Sequence, residues 1–531
     1  MLTLPPALRI ANTAAVLEHR YGTVTQRARC CGTSRQALYR DAPRVLRAVA
    51  GSDARQRLQE LLQEQQRLHD RIAQLERQAA QAVPCDTERQ AQFACTAQAE
   101  GVSLPVARRL LAVLLRGQTP AVPTLGRMTR AAAQKATALL QVLDAASRPR
   151  AEQVAADEIF FGSKPCLMVV EQHSLCWLSG RLTERRTGEE WAKEFEQLPQ
   201  LRQTTQDGGT ALAKGLDLVN QRRRQQGQAA VVAQDDHFHV QREGQRVLRR
   251  LRGQVAKAIT QAEEADRQAA KKERQTGDGR GKGAASRAWR QAERAMDGYA
   301  AAEAAWAEVE GALRLFTPQG ALNTPAQARA VIDAALPRLS GPAWAKVRRQ
   351  VQRPQLLAFL DEASTGLSRL PVAAEVLAAA VRVEGLRRQP EALRGAGPSA
   401  AALRGVLLVA GLVLSLAGEA GRKALGLVRG VWQGVWRASS LVECLNSVAR
   451  MQQGRHRKMT QGLLDLKRLY WNCREFRTGR RRGRTPYGLQ GVALPTADWW
   501  ELLKLTPQQL RERLGSPQPP AQELSAPGVA A

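Results

Sequence analysis

The chain has 531 residues, 44% of them hydrophobic, enough to bury sizeable cores in several domains of roughly 100–200 residues each, which excludes a wholly disordered protein. Lys and Arg number 79 against 49 Asp and Glu, and the resulting net charge of +30 points to a polyanionic partner, nucleic acid ahead of an anionic membrane. Aromatics at 4% in an Ala-, Arg-, Gln- and Leu-rich chain favour helix over an all-β architecture.

The cysteines (Cys30, Cys31, Cys85, Cys95, Cys166, Cys176, Cys444 and Cys473) form no Cys-x-x-Cys pair, and with only six His the chain offers no zinc-finger ligand set. Scattered thiols of this kind read as reduced and cytosolic, and the N-terminus does not read as a signal peptide. The most apolar run, Gly405 to Ala417, falls short of the roughly 20 residues of a membrane span and is expected to be a buried helix.

In chain order, residues 1–50 predict a small helical domain. Helices over Leu8 to Tyr21, Val24 to Cys31 and Arg35 to Val45, with a Gly32-Thr33-Ser34 turn before the last, make a helix-turn-helix pattern. Arg35, Gln36 and Arg40 would project from its second helix towards DNA; a plain three-helix bundle with a basic surface is the alternative. Over 51–84 a heptad places Leu58, Gln65, Ile72 and Ala79 at one seam position and Leu61, Leu68, Leu75 and Ala82 at the other. This predicts a coiled coil, hence a dimer, or an amphipathic helix packed in cis. Residues 85–150 read as a second helical DNA-binding unit: Glu88 to Ala99, Leu104 to Arg116, and a basic helix over Thr124 to Leu143 that carries Arg127.

The texture then changes. Glu158 to Phe161, Cys166 to Val170 and Cys176 to Leu178 are short β-prone runs expected to pair antiparallel. A helix over Gly188 to Gln197, a strand ending at Asp207, a helix over Thr210 to Arg224 and a buried strand over Ala229 to Ala233 follow. The order βββαβαβ matches a ribonuclease H-like fold. Residues 246–427 are helical by pattern, with breaks at Gly277 to Gly283 and Gly395 to Ser399. Helix resumes over Val431 to Tyr470, an Arg-rich turn follows at Arg480 to Arg484, and residues 515–531 read as a disordered tail.

Three carboxylates stand out. Asp157 lies at the start of the first strand, Asp207 ends the fourth in Asp-Gly-Gly, and Glu443 sits on a helix as Glu443-x-x-Asn446-x-x-x-Arg450. Displacing a phosphodiester in line needs charge neutralised on both the attacking and the leaving oxygen. Hard divalent cations held by carboxylates supply this. The plain readings are a strand-end acid at Asp157, a cap at Asp207 for the helix from Thr210, and a solvated pair of Glu443 with Arg450.

These motifs, with Asp236-His-Phe-His239 after the fifth strand and Arg480-Arg-Arg-Gly-Arg-Thr-Pro486 downstream, resemble the DDE-type transposases of bacterial insertion sequences. The Asp236 to His239 element is similar to the acidic-x-x-His element of Mutator-like members. The resemblance covers about Asp157 to Trp500 and implies an α+β, mostly helical protein. Its ribonuclease H-like core, a mixed five-stranded sheet over 151–245 and 428–514, would be interrupted by an all-α insertion over 246–427. It implies Asp157, Asp207 and Glu443 as catalytic ligands of two Mg²⁺ (or Mn²⁺), with Asp236, His239, Asn446 and Arg450 bracing the site. Arg480, Arg481, Arg482 and Arg484 would join Arg35, Gln36, Arg40 and Arg127 in contacting DNA. It also implies double-stranded DNA as partner, a homodimer or higher oligomer, no membrane, and a bacterial cytoplasmic, nucleoid-associated location. The insertion makes the gap before Glu443 unusually long, leaving Glu419, Glu384 and Asp361 as competitors. The alternatives are an inactive DNA-binding derivative or a nuclease without strand transfer.

Charge follows this division: +6 over residues 1–50, +7 over 101–150 and +8 over 451–500, against −4 over 151–200.

Overall fold

Three short helices, Pro6–Leu17, Thr23–Cys30 and Arg35–Val49, open the computed structural model, which describes residues 5–49, 54–81, 85–115, 119–277, 279–453 and 459–515. The chain divides into two units, Met1–Asp86 and Thr87–Ala531. The expected tail falls almost wholly outside the described residues.

In the first unit, Gly22 at φ +89° and Gly32 at φ +58° supply the left-handed turns between helices. The Ser34 hydroxyl accepts from the Ala37 amide at the start of the third helix. Val24, Ala28 and Leu38 close a small core, and Arg35, Gln36 and Arg40 are exposed. The 28-residue helix Ala54–Gln81 follows. Its seam residues Leu61, Leu68, Ile72 and Leu75 are all exposed, so nothing among the described residues covers them. Ala82 and the Ala79 side chain lie outside what is described.

The second unit is built on a five-stranded sheet: β1 (Gln153–Phe161), β2 (Lys164–Glu171), β3 (Trp177–Leu182), β4 (Gln203–Gln206) and β5 (Val232–Asp235), ordered β3-β2-β1-β4-β5. β1 pairs antiparallel with β2, and β2 with β3, whereas β4 lies parallel to β1 and β5 parallel to β4. The mostly helical α+β class is as expected. Alternate side chains sort to opposite faces, as a period of two dictates. Val154, Ala156, Leu167 and Val169 join one core with the helices Val122–Ser147, Gly188–Glu196, Thr210–Gln225 and Gln461–Cys473. Ala155, Ile159, Met168 and Val170 join another with Val442, Leu445 and Ala449 of the helix Ser440–Gln453. β4 is polar, Gln-Thr-Thr-Gln, yet fully buried; Gln153 Nε2 donates to Gln203 Oε1 at 2.7 Å, and Thr205 meets Gln172.

Several expectations are corrected. β1 begins at Gln153, so Asp157 sits in mid-strand and not at its start, because Gln153 to Ala155 pair with β4 and Val154 onwards with β2. The last strand is Val232–Asp235, starting three residues later than expected; it is an edge strand, exposed at Val232 and buried at Gln234 and Asp235. Asn220 clamps the Val231 backbone on both sides (2.7 and 2.9 Å), leaving Ala229 and Ala230 outside the ladder. The helices of 85–150 belong to the sheet's own unit, the long one buried along Leu125, Ala136, Leu139 and Leu143. Helix is not continuous from Val431 to Tyr470. It stops at Gly434, runs irregularly to Ser439, restarts over Ser440–Gln453, and begins again at Gln461, where the Thr460 hydroxyl caps Leu463.

Apart from turns and one isolated β-bridge between Phe316 and Leu322, the described residues of the insertion are helical, with a core around Trp306, Trp344 and Phe359. The apolar run is not a buried helix. It belongs to a 19-residue helix, Pro398–Leu416, that buries Ala410 and Leu414 but exposes Leu408, Val409, Leu412 and Leu416. Among the described residues it is the one helix long and apolar enough to cross a membrane.

Candidate active site

Strand alternation decides where Asp157 looks. Its neighbour Glu158 takes the other face, receiving Trp191 Nε1 at 2.7 Å and Arg186 at 3.1 Å. Asp157 therefore faces the helix Ser440–Gln453, where Asn446 Nδ2 donates to its Oδ2 at 2.5 Å; Oδ1 accepts from the Glu158 amide at 2.8 Å. Burial raises the Asp157 carboxyl to about 7, and repulsion from Asp207 and Glu443 adds to it against the pull of that amide.

The parallel pairing places Asp207 beside it. Ala155 stands opposite Thr205, so continuing that register by two residues sets Asp207 opposite Asp157. Asp207 Oδ1 accepts from the Gly209 amide at 2.8 Å. It does not cap the helix Thr210–Gln225, whose first turn has no side-chain cap. Gly208 sits at φ +78°, a backbone conformation that favours glycine, with the tip of the Arg353 side chain close by.

Glu443 comes from the same helix as Asn446. Its Oε2 pairs with Arg450 at 3.1 Å, and its Oε1 lies 3.7 Å from His239 Nε2. His239 Nδ1 meets Asp236 Oδ2 at 2.6 Å. Ser439 also donates to that oxygen, and the Phe238 amide donates to Oδ1 at 2.7 Å. Burial alone would raise the Asp236 carboxyl, but His239 and Ser439 hold it below its ordinary value. Asp236 in turn raises the imidazole of His239 above its own. Hydrogen-bonded at both oxygens, Asp236 holds His239 against Glu443.

Residues 50 and 236 apart in sequence are thus brought within electrostatic reach of one another. The competitors lie elsewhere: Glu384 is buried in an ion pair with Arg429 at 2.7 Å, and Asp361 and Glu419 occupy first turns of insertion helices. Sequence reading missed three participants. Asp235 is raised to about 6 by burial and by Asp207 and Asp236, against the Arg353 guanidinium at 2.9 Å. Arg353 reaches in from the insertion, and no local motif marks it. Ser439 had a signal, as a Ser directly before a helix.

Among the described residues no three His, Cys, Asp or Glu side chains stand ready to grip one ion. The donor chemistry nevertheless suits a hard divalent cation. The carboxylates repel one another, and Asp235 Oδ1, Gln206 Oε1 and Asn446 Oδ1 are buried acceptors without a donor.

Of the candidate DNA contacts, Arg35 and Gln36 line an open groove in the first unit beside Tyr39, and Arg40 is exposed outside that lining. Arg127 is exposed and bonded to Thr124 at 3.2 Å. Arg480 lies 5.3 Å over the Trp436 ring, whereas Arg481 is spent on the Gln172 and His173 carbonyls (2.9 and 2.8 Å). Arg482 and Arg484 are exposed, and Trp432 and Trp500 are core residues. Comparison with protein-family profiles, with curated proteins and with solved structures returns no match.

Proposed function

We propose that the chain is a DDE-type DNA transposase with a ribonuclease H-like core, cutting and joining DNA strands at Asp157, Asp207 and Glu443. One observation carries this reading: carboxylates from the central strand β1, from the loop after β4 and from a helix beyond the insertion act on one another in a sheet ordered 3-2-1-4-5. The basic Arg480 to Arg484 turn and the exposed Arg35, Gln36 and Arg40 support double-stranded DNA as substrate. The uncovered heptad seam supports a dimer or higher oligomer.

Asp157, Asp207 and Glu443 would hold two Mg²⁺ or Mn²⁺ ions, whose chemistry is charge neutralisation on the attacking and leaving oxygens of an in-line displacement. The protein's own part is positional. Asn446 fixes the Asp157 carboxylate on its strand, which must first give up a proton held to about 7. Glu443 must leave Arg450, and the Asp236–His239 pair limits how far it can turn. The glycines after Asp207 let a phosphodiester approach the backbone.

The test is product analysis. Incubated with Mg²⁺, a labelled duplex ending in a 3′-OH and a supercoiled target, the chain is expected to give joined products. Nicking without joining would leave a nuclease, and DNA binding without either an inactive derivative.

The Asp157 shift gives a second expectation, and its sign is fixed. A carboxyl whose folded pKa is raised from about 4 to about 7 binds a proton that the unfolded chain has released, so this group's contribution to stability falls as pH rises through that window. A divalent cation competes with the same proton. Mg²⁺ should therefore raise the thermal midpoint more at pH 8 than at pH 5, by about 2.7 kcal/mol of stability at a hundred times its dissociation constant. Scanning calorimetry with and without Mg²⁺ measures the difference; an equal rise at both pH values would speak against a site at Asp157.

A further inference from the structure

Beside the carboxylate site, between the insertion and the segment leading to Ser439, lies a cavity of about 480 Å³ on which Arg314, Arg388 and Arg437 converge. They come from three separate places: Arg314 just after the helix Lys282–Ala312, Arg388 at the end of the helix Ala374–Arg387, and Arg437 in the irregular stretch before Ser440–Gln453. All three are exposed, and among the described residues none pairs with a carboxylate. Arg437 gives one hydrogen bond to the Leu313 carbonyl at 3.2 Å, and Arg388 lies 6.0 Å over the Phe316 ring. Glu391, the acid on the cavity wall, is turned to Arg394 at 2.9 Å.

Other arginines of the same region are compensated: Arg338 by Glu308, Arg353 by Asp235, Arg429 by Glu384. Here three guanidiniums face one space uncompensated. Desolvation, followed by repulsion from Arg388 and Arg314, lowers the pKa of Arg437. The wall also holds Trp432, whose buried indole N–H finds no acceptor in the protein. An unsatisfied donor beside like charges calls for an anion with several acceptor oxygens.

We propose that this cavity binds a phosphomonoester group, gripped by Arg314, Arg388 and Arg437. A terminal phosphate carries close to two charges and three oxygens, which suits the planar fork of arginine better than a singly charged phosphodiester does. The volume leaves room for the organic part of the ligand. Two sources share this chemistry, a free nucleotide and a 5′-phosphorylated DNA end. The site does not rest on the strand-cleavage reading, since a chain without cleavage would still carry it.

Calorimetric titration of the full chain tests it with four probes: adenosine 5′-monophosphate, adenosine, and a deoxydinucleotide with and without a 5′-phosphate. At least one phosphorylated probe is expected to bind saturably, about tenfold or more tighter than its unphosphorylated partner. Binding of the mononucleotide alone identifies a free nucleotide, of the dinucleotide alone a DNA end, and of both the phosphate as the recognised group. Arg314→Gln with Arg388→Gln should lose at least about tenfold in affinity. Both residues are exposed, so thermal unfolding of the double variant should match the wild type. Trp432→Phe, which keeps the ring and removes the N–H, should weaken binding without a matching loss of fold. The proposal is overturned if no phosphorylated probe binds saturably, if the phosphate makes no difference, or if the double variant binds as the wild type does.

Discussion

Asp157→Asn is expected to abolish metal-dependent DNA cleavage while leaving the fold at least as stable as the wild type at pH 8. Losing the deepest carboxylate removes several kcal/mol of charge stabilisation, roughly a thousand-fold in rate. Stability moves the other way. The wild-type carboxyl, raised to about 7, must ionise in a buried setting by pH 8, and the neutral amide avoids that cost. Asn446 remains opposite and can turn its unsatisfied Oδ1 to the new amide. Nicking of supercoiled DNA beside urea unfolding of both proteins measures the pair of effects. A variant that is inactive because it is unfolded would not support the assignment, and one that still cuts would end it.

Trp191→Ala is expected to cost about 3–5 kcal/mol, a large part of the stability of a typical domain. Trp191 is completely buried between the sheet and its helices, stacks on Phe195 at 5.6 Å, and donates its Nε1–H to Glu158 at 2.7 Å. Its Cβ also sets how closely two helices meet. A Cβ added at Gly215 would come within 2.4 Å of it and 2.9 Å of the Gly188 carbonyl, so the surroundings are too rigid to collapse into the vacancy. Because Glu158 adjoins Asp157, the loss should also disturb the site. Denaturant unfolding gives the number; a change below about 1 kcal/mol would mean that this core repacks freely.

What the sequence made legible follows from local physics. The β-prone runs around Phe160, Val169 and Leu178 and the Ser/Gly turn before Arg35 carry their structure in their own residue types. The order of elements from Glu158 to Ala233 could therefore be read ahead of the sheet. Boundaries set by partners could not. β1 extends back to Gln153 because β4 pairs there, and the last strand slides to Val232 because Asn220, a helix residue, claims the Val231 backbone. The run from Gly405 reads as core by composition, but packing buries only Ala400, Ala410 and Leu414 of its helix while Leu408, Val409, Leu412 and Leu416 stay in the open. At the site, Asp157, Asp207, Glu443, Asn446 and Arg450 were all marked by motif. Asp235 and Arg353 were not, because their pairing spans 118 residues and exists only once the insertion folds back on the sheet.

Mg²⁺-dependent nicking of double-stranded DNA by the purified full chain, with the chemistry of the new ends determined, is the most direct test of the carboxylate site. Nicks are expected to appear with Mg²⁺ or Mn²⁺, to vanish on chelation, and to leave 3′-hydroxyl and 5′-phosphate ends. Bound DNA left intact with either ion, or cut equally well after chelation, would contradict that expectation.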